Sequence, residues 1–162
     1  IFTFFARLTK VDGPSMENTL HDGQYLIISD FAYTPKAGDI VVLQNTSVSE
    51  ERLRNPLVKR IIAVGGQTID ITSNGRVTVT DSDGTVRELD QSFTKNEPYM
   101  RSEYHCVIPE GYVFVMGDNR NDSTDSRDPR LGVVDERCIF GRALFRVLPF
   151  GEFTAFSNPY NN

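Results

Sequence analysis

Apolar residues in this chain gather in short runs rich in β-branched and aromatic side chains, each bounded by Gly, Pro or Asp. Such runs predict strands, because branched and aromatic side chains suit a pleated, half-buried surface and the flanking residues interrupt it. The clearest are Gln24-Tyr25-Leu26-Ile27-Ile28, Asp39-Ile40-Val41-Val42-Leu43 and Gly111-Tyr112-Val113-Phe114-Val115-Met116, with further strands expected over 57–64, 68–72, 76–80, 86–89 and 139–147. No window sustains an apolar stripe of helical period, so helix is confined to a short piece around 47–53. Ser73-Asn74-Gly75-Arg76 and Asp81-Ser82-Asp83-Gly84 predict hairpin turns, since Asn-Gly and Asp-Gly accept the positive φ that tight turns demand. Residues 91–104 become polar and irregular, which predicts a surface excursion between two halves of the core. The fold class is mostly β, with antiparallel sheets and few short helices.

Composition narrows this picture without changing it. At 162 residues and 39% apolar, the chain suits one domain, 1–162, with a real core, and residues 73–108 form a small β-rich excursion within it. The net charge of −5 comes from interspersed acids and bases, with no basic stripe to track a phosphate backbone, so nucleic acid is not an expected partner. No run reaches the roughly 18 apolar residues of a membrane-spanning helix. The chain opens on Ile1 rather than Met, and the expectation is that a natural N-terminal membrane anchor precedes it. Ile1-Phe2-Thr3-Phe4-Phe5-Ala6 then reads either as the stub of that anchor or as a first strand packing on the core. Cys106 and Cys138 lack zinc-type spacing, and a disulfide between them is not deducible. Neither metal nor cofactor is expected.

Three blocks carry candidate chemistry. In Gly13-Pro14-Ser15-Met16-Glu17-Asn18-Thr19-Leu20, a Gly-Pro turn holds a serine whose hydroxyl can project outward, though a lone serine beside proline is more often a turn cap. In the strand 57–64, Lys59 shares a face with Leu57 and Ile61, and Arg60 shares the other with Val58 and Ile62, so neither cation has a wet side. Arginine keeps its proton and needs a carboxylate. Lysine sheds its proton when desolvated, its pKa falling by several units from about 10.4, and a neutral buried amine is a general base. The third block, Gly117-Asp118-Asn119-Arg120-Asn121-Asp122-Ser123-Thr124-Asp125-Ser126-Arg127, is a dense polar loop after an apolar strand. It fails as a calcium loop, because counting from Asp118 puts Arg120 at the third ligand position and Pro129 where a bidentate Glu belongs. Of the two histidines, His105 and its strand neighbour Cys106 point apart, while a Ser15/His21 pairing stays open at this level.

Taken in order, these blocks resemble those of the bacterial type I signal peptidases. The stretch from Gly13 to Leu20 is similar to the family's serine box, Gly38-Asp39-Ile40-Val41-Val42 to its Gly-Asp block, Lys59-Arg60 with Gly66 to its lysine box, and the loop from Gly117 to Arg127 to its most distinctive signature. The tail Leu148-Pro149-Phe150-Gly151-Glu152-Phe153 resembles Gram-positive endings. The chain departs from the usual pattern at Ala63 and at Gly65-Gly66-Gln67.

The resemblance implies a coiled, barrel-like β core and a Ser/Lys dyad, with Ser15 as nucleophile, Lys59 as general base and Ser123 orienting the lysine amine. It implies an oxyanion hole using the backbone N–H of Ser15, with Gly13 lacking the hydroxyl some relatives carry at that position. Met16, Leu20 and Val58 are expected to wall the substrate pockets, and Arg60 with Asp118 and Arg127 with Asp125 to form structural ion pairs. The implied substrates are preprotein signal peptides with small residues before the cut, Ala-X-Ala, entering as an added strand at the outer face of the bacterial cytoplasmic membrane. A LexA-like self-cleaving protease would share the dyad, but the chain has no helix-turn-helix pattern, and the long signature from Gly117 to Arg127 favours the signal peptidases. A noncatalytic relative should have lost the serine or the lysine, and both remain.

Overall fold

The computed structural model describes residues 6–44, 48–97, 100, 102–147 and 153–161. The aromatic opening, with Phe4 and Phe5, and the tail residues 148–152, with Phe150, lie outside them. The strands are β1 (Arg7–Lys10), β2 (Tyr25–Ser29), β3 (Ile40–Leu43), β4 (Leu57–Val64), β5 (Thr68–Ile71), β6 (Val77–Thr80), β7 (Val86–Glu88), β8 (Tyr104–Val107), β9 (Tyr112–Met116), β10 (Val134–Asp135), β11 (Ile139–Val147) and β12 (Phe153–Ala155). A short α-helix, α1 (Glu51–Arg54), falls at the end of the stretch read as helical, and a 3-10 turn spans Glu136–Cys138.

Every strand pairing is antiparallel. Eight strands form one sheet in the order β1-β2-β11-β3-β4-β9-β10, with β12 on β11, and the sheet curls into a half-barrel. β11 makes the curl possible: its pairing slips between Ile139 and Gly141 against β3 and between Ala143 and Phe145 against β2, and such bulges bend a strand and sharpen its twist. The four short strands β7-β6-β5-β8 form a second sheet, and both predicted hairpin turns close within it, with Gly75 N–H on Thr72 O at 2.9 Å and Gly84 N–H on Asp81 O at 2.9 Å. The two sheets share a core, since Ile69, Ile71, Val77 and Val79 pack with Ile62, Ala63, Phe114 and Met116.

β4 is an interior strand of the main sheet, between β3 and β9, and six of its eight residues are buried. Its two faces match the alternation read from sequence. Leu57 and Ile61 join a cluster with Val41, Leu43 and Val115, while Val58 joins the cluster of Val11, Leu26 and Ile28, and Ile62 that of the second sheet. Lys59 and Arg60 are thus carried inward by the strand that is covered on both faces, each only 3% exposed.

The outer face of β1, β2, β11 and β12 is a different surface. Leu8 stands opposite Ile27, Ile27 opposite Phe145, Tyr25 opposite Val147, and Val147 opposite Phe153. Their neighbours Leu26, Ile28 and Ala143 point into the core, so these residues share the outward side, with Leu8, Phe153 and Tyr25 all exposed.

Candidate active site

Lys59 reaches its position on a rigid central strand, whereas Ser15 reaches its own on a loop between β1 and β2 that folds on itself, with Val11 N–H on Gln24 O at 2.8 Å and Leu20 N–H on Met16 O at 2.8 Å. Val11, Met16 and Leu20 sink this loop into the core. Lys59 Nζ and Ser15 Oγ meet across 44 residues of sequence in a hydrogen bond of 2.7 Å. Burial pulls the Lys59 pKa from its ordinary 10.5 down to about 8, with Arg127 pushing the same way and Asp125 and Asp118 opposing. An amine in that range exchanges its proton near neutral pH. As ammonium it donates to Ser15 Oγ, and as free amine it accepts the serine proton.

The loop after β9 holds the pair together. Asn119 donates its backbone N–H to Ser15 O at 3.0 Å and its side-chain amide to Pro14 O at 3.1 Å. Gly117 admits this approach: a Cβ there would overlap the Ser15 carbonyl oxygen and the Ser123 side chain. Asp118, fully buried, takes a fork from Arg60, Nε to Oδ1 at 2.9 Å and NH2 to Oδ2 at 2.7 Å, and also accepts from the Thr19 hydroxyl. The third guanidinium nitrogen of Arg60 donates to Gly38 O at 2.7 Å. Arg127 forks onto Asp125 with two bonds of 2.8 Å and reaches Arg120 O at 2.8 Å, while Asp125 Oδ2 accepts from Gly117 N–H at 3.0 Å. These forks are the geometry in which buried charges are best compensated.

A cleft of about 490 Å³ opens on Ser15 and Lys59, lined also by Gly13, Leu53, Pro56, Leu57 and Ser123. Ser123 stands in this cleft but does not bond the lysine: its hydroxyl is buried and meets no partner among the described residues, while the Lys59 amine bonds Ser15 Oγ. Met16, Leu20 and Val58 also depart from expectation. They are 1%, 0% and 8% exposed and pack in the core instead of lining the cleft, because the serine loop uses its apolar side chains as anchors. His21 is exposed and faces Glu17, and His105 pairs with Asp70 on the second sheet. Cys106 and Cys138 are both free thiols. Thr19 and Asn119 were legible only as members of their blocks, since contacts spanning 99 and 105 residues leave no local signal.

The family model "Signal peptidase, peptidase S26" matches residues 1–148. The chain is 33% identical over 155 residues to the probable signal peptidase I-1 of Synechocystis, covering 90% of this chain and 73% of that protein. It is 34% identical over 151 residues to signal peptidase I T of Bacillus subtilis, covering 88% and 74%. It is 33% identical over 160 residues to signal peptidase I of Bacillus licheniformis, covering 88% and 76%. In fold it is similar to the crystal structure of a signal peptidase I from Enterococcus faecalis, with a TM-score of 0.50 and 24% identity over 68% of this chain and 97% of that one. The chain therefore belongs to the signal peptidase family of serine endopeptidases, peptidase S26, among the bacterial type I enzymes.

Proposed function

We propose that this protein removes signal peptides from preproteins by Ser/Lys dyad catalysis, cutting after Ala-X-Ala segments at the membrane surface. The observation that carries this reading is the 2.7 Å contact between Ser15 Oγ and a buried Lys59 amine whose pKa is brought down to about 8, so that a fraction of it is free amine near physiological pH. The Lys59 amine takes the hydroxyl proton as Ser15 Oγ attacks the scissile carbonyl. The resulting ammonium then gives that proton to the departing amine, leaving the acyl-enzyme. Water, deprotonated by the same amine, releases the signal peptide's carboxyl end and regenerates the serine. The hydroxyl of Ser123, without another partner, is the group available to hold the amine while Ser15 Oγ is acylated.

The Ser15 N–H serves as oxyanion donor; among the described residues no backbone carbonyl outside the strands accepts from it. Gly13 adds no hydroxyl, and its backbone N–H is already given to Asp22 Oδ1 at 2.9 Å. The cleft suits an extended peptide. β4 pairs with β3 from Leu57 onward, but its pairing with β9 starts only at Arg60, so the cleft-side edge of 57–59 has no strand partner among the described residues. A signal-peptide segment added there runs past Ser15, with main-chain bonds supplying affinity and shallow walls admitting small side chains.

Ser15→Ala and Lys59→Met are each expected to abolish cleavage of an Ala-X-Ala preprotein presented in detergent or lipid. Turnover retained by folded Lys59→Met enzyme would sink the dyad, and equal cleavage of preproteins with bulky residues before the cut would sink the specificity.

A further inference from the structure

The segment between β7 and β8 reads as a polar surface excursion, and in space it touches all three blocks that build the site. Lys95 pairs with Glu17, and Asn18 donates its amide to Thr94 O at 3.3 Å, so two consecutive residues of the serine loop are held by two consecutive residues of this segment. On the loop after β9, Lys95 N–H donates to Asp118 O at 3.0 Å, Arg120 donates to the Gln91 side chain, and Asn121 donates to Glu97 O at 3.2 Å. On the lysine strand, the Arg60 guanidinium lies over the Phe93 ring at 4.4 Å, with Arg120 at 5.9 Å from the same ring and Tyr160 edge-on to it at 6.1 Å. The segment is itself fixed to the second sheet, with Gln91 Nε2 on Gly75 O at 2.9 Å.

We infer that residues 91–97 form a strap that sets the position of the nucleophile relative to the lysine, with Phe93 and Lys95 as its positioning residues. The inference rests on the dyad reading. Lys59 cannot wander, because ladder bonds to β3 and packing on both faces fix its strand. Ser15 has no such ladder. Its loop is held in depth by Met16 and Leu20, but apolar burial is non-directional and leaves the loop free to slide or tilt. Direction comes from the polar ties, and besides those to Asn119 and Asp118 the strap supplies the ties nearest the serine, two and three residues along the chain. Its aromatic end bears on Arg60, the partner of Asp118, so one segment registers loop, strand and polar cluster together. Near-attack geometry is demanding: a displacement of about 1 Å costs on the order of 100-fold in rate.

The test uses the whole chain and a signal-peptide-derived substrate. Phe93→Ala and Lys95→Met are expected to lower kcat by roughly 10- to 100-fold with KM held within about 2-fold, as expected when ground-state binding is intact and transition-state alignment is lost. Phe93→Tyr, which keeps the ring face under Arg60, is expected to retain wild-type kcat, whereas Phe93→Leu keeps only bulk and stays impaired. Folded Phe93→Ala or Lys95→Met enzyme with wild-type kcat overturns the strap, as does equal rescue by Leu and Tyr. Should Phe93→Ala fail to fold, a double-mutant cycle of Glu17→Gln with Lys95→Met decides: non-additive losses in kcat uphold the strap, and additive or absent losses overturn it. Turnover by Ser15→Ala enzyme would instead strike the dyad reading on which the strap depends.

Discussion

Moving the Lys59 ammonium from water to a site where the residue is 3% exposed is unfavourable, and the nearby acids Asp125 and Asp118 compensate only in part, because Arg127 stands with them. The fall from 10.5 to about 8 corresponds to about 3 kcal/mol of disfavoured charge, which the fold carries whenever the lysine is protonated. Two outcomes follow, with opposite readouts. Under the proposed dyad, activity needs the free amine, so kcat/KM is expected to rise with pH through about 8 and level off above it; a profile flat from pH 6 to 10 would contradict the assignment. Stability obeys the same titration. The burial penalty is fully present below pH 8 and is relieved as pH rises toward 10.5, because over that window the unfolded chain binds more protons than the folded one. Lys59→Met is therefore expected to unfold at higher urea than wild type at pH 6, with the gap narrowing at pH 10.

Among the elements, the loop after β9 does most to bring separate strands into one site. Asp118→Asn leaves Arg60 buried with half its fork, and breaking such a pair typically costs 3 to 5 kcal/mol, so a fall in thermal midpoint of several degrees or failure to fold is expected from calorimetry. Asp118→Asn should lose more than Arg130→Gln, whose ion pairs with Asp128 and Glu50 are exposed to solvent and screened by it. Gly117→Ala acts on the same loop by sterics. The added Cβ overlaps the Ser15 carbonyl oxygen and Ser123, so the two must separate, and a loss in kcat on the order of 100-fold is expected with only a modest change in thermal midpoint.

At the scale of the molecule, the curl of the main sheet sets the cleft over Ser15 and Lys59 and the apolar outer face of β1, β2, β11 and β12 on one scaffold. Of the seven large hydrophobics exposed among the described residues, Leu8, Tyr25, Phe145 and Phe153 fall on this face with half-buried Ile27 and Val147 between them, and an apolar patch of this kind is typical of contacts with lipid or protein. For a peptidase proposed to work at the membrane, lipid is the natural contact. Leu8→Asp and Phe153→Asp are expected to weaken co-sedimentation with anionic phospholipid vesicles while leaving cleavage of a soluble peptide unchanged. Vesicle binding equal to wild type would remove the face from the account.

The sequence by itself determined the strand content, the strands over 57–64 and 139–147 to the residue, and the alternation that sends Lys59 and Arg60 into the interior, because period-two patterning and turn residues are local physics. Its spaced blocks also carried the family. It did not yield β1, β10 or β12, which are short and lean on neighbours far along the chain, and it set the end of the excursion inside what became β8. Tertiary structure alone decided that Ser15 meets Lys59 and not His21, that Met16, Leu20 and Val58 anchor instead of lining the cleft, that Ser123 is left unpartnered, and that residues 91–97 cross the site. Each of these depends on the approach of segments tens of residues apart, and no local pattern encodes the distance between a loop and a strand that touch only after the sheet has curled.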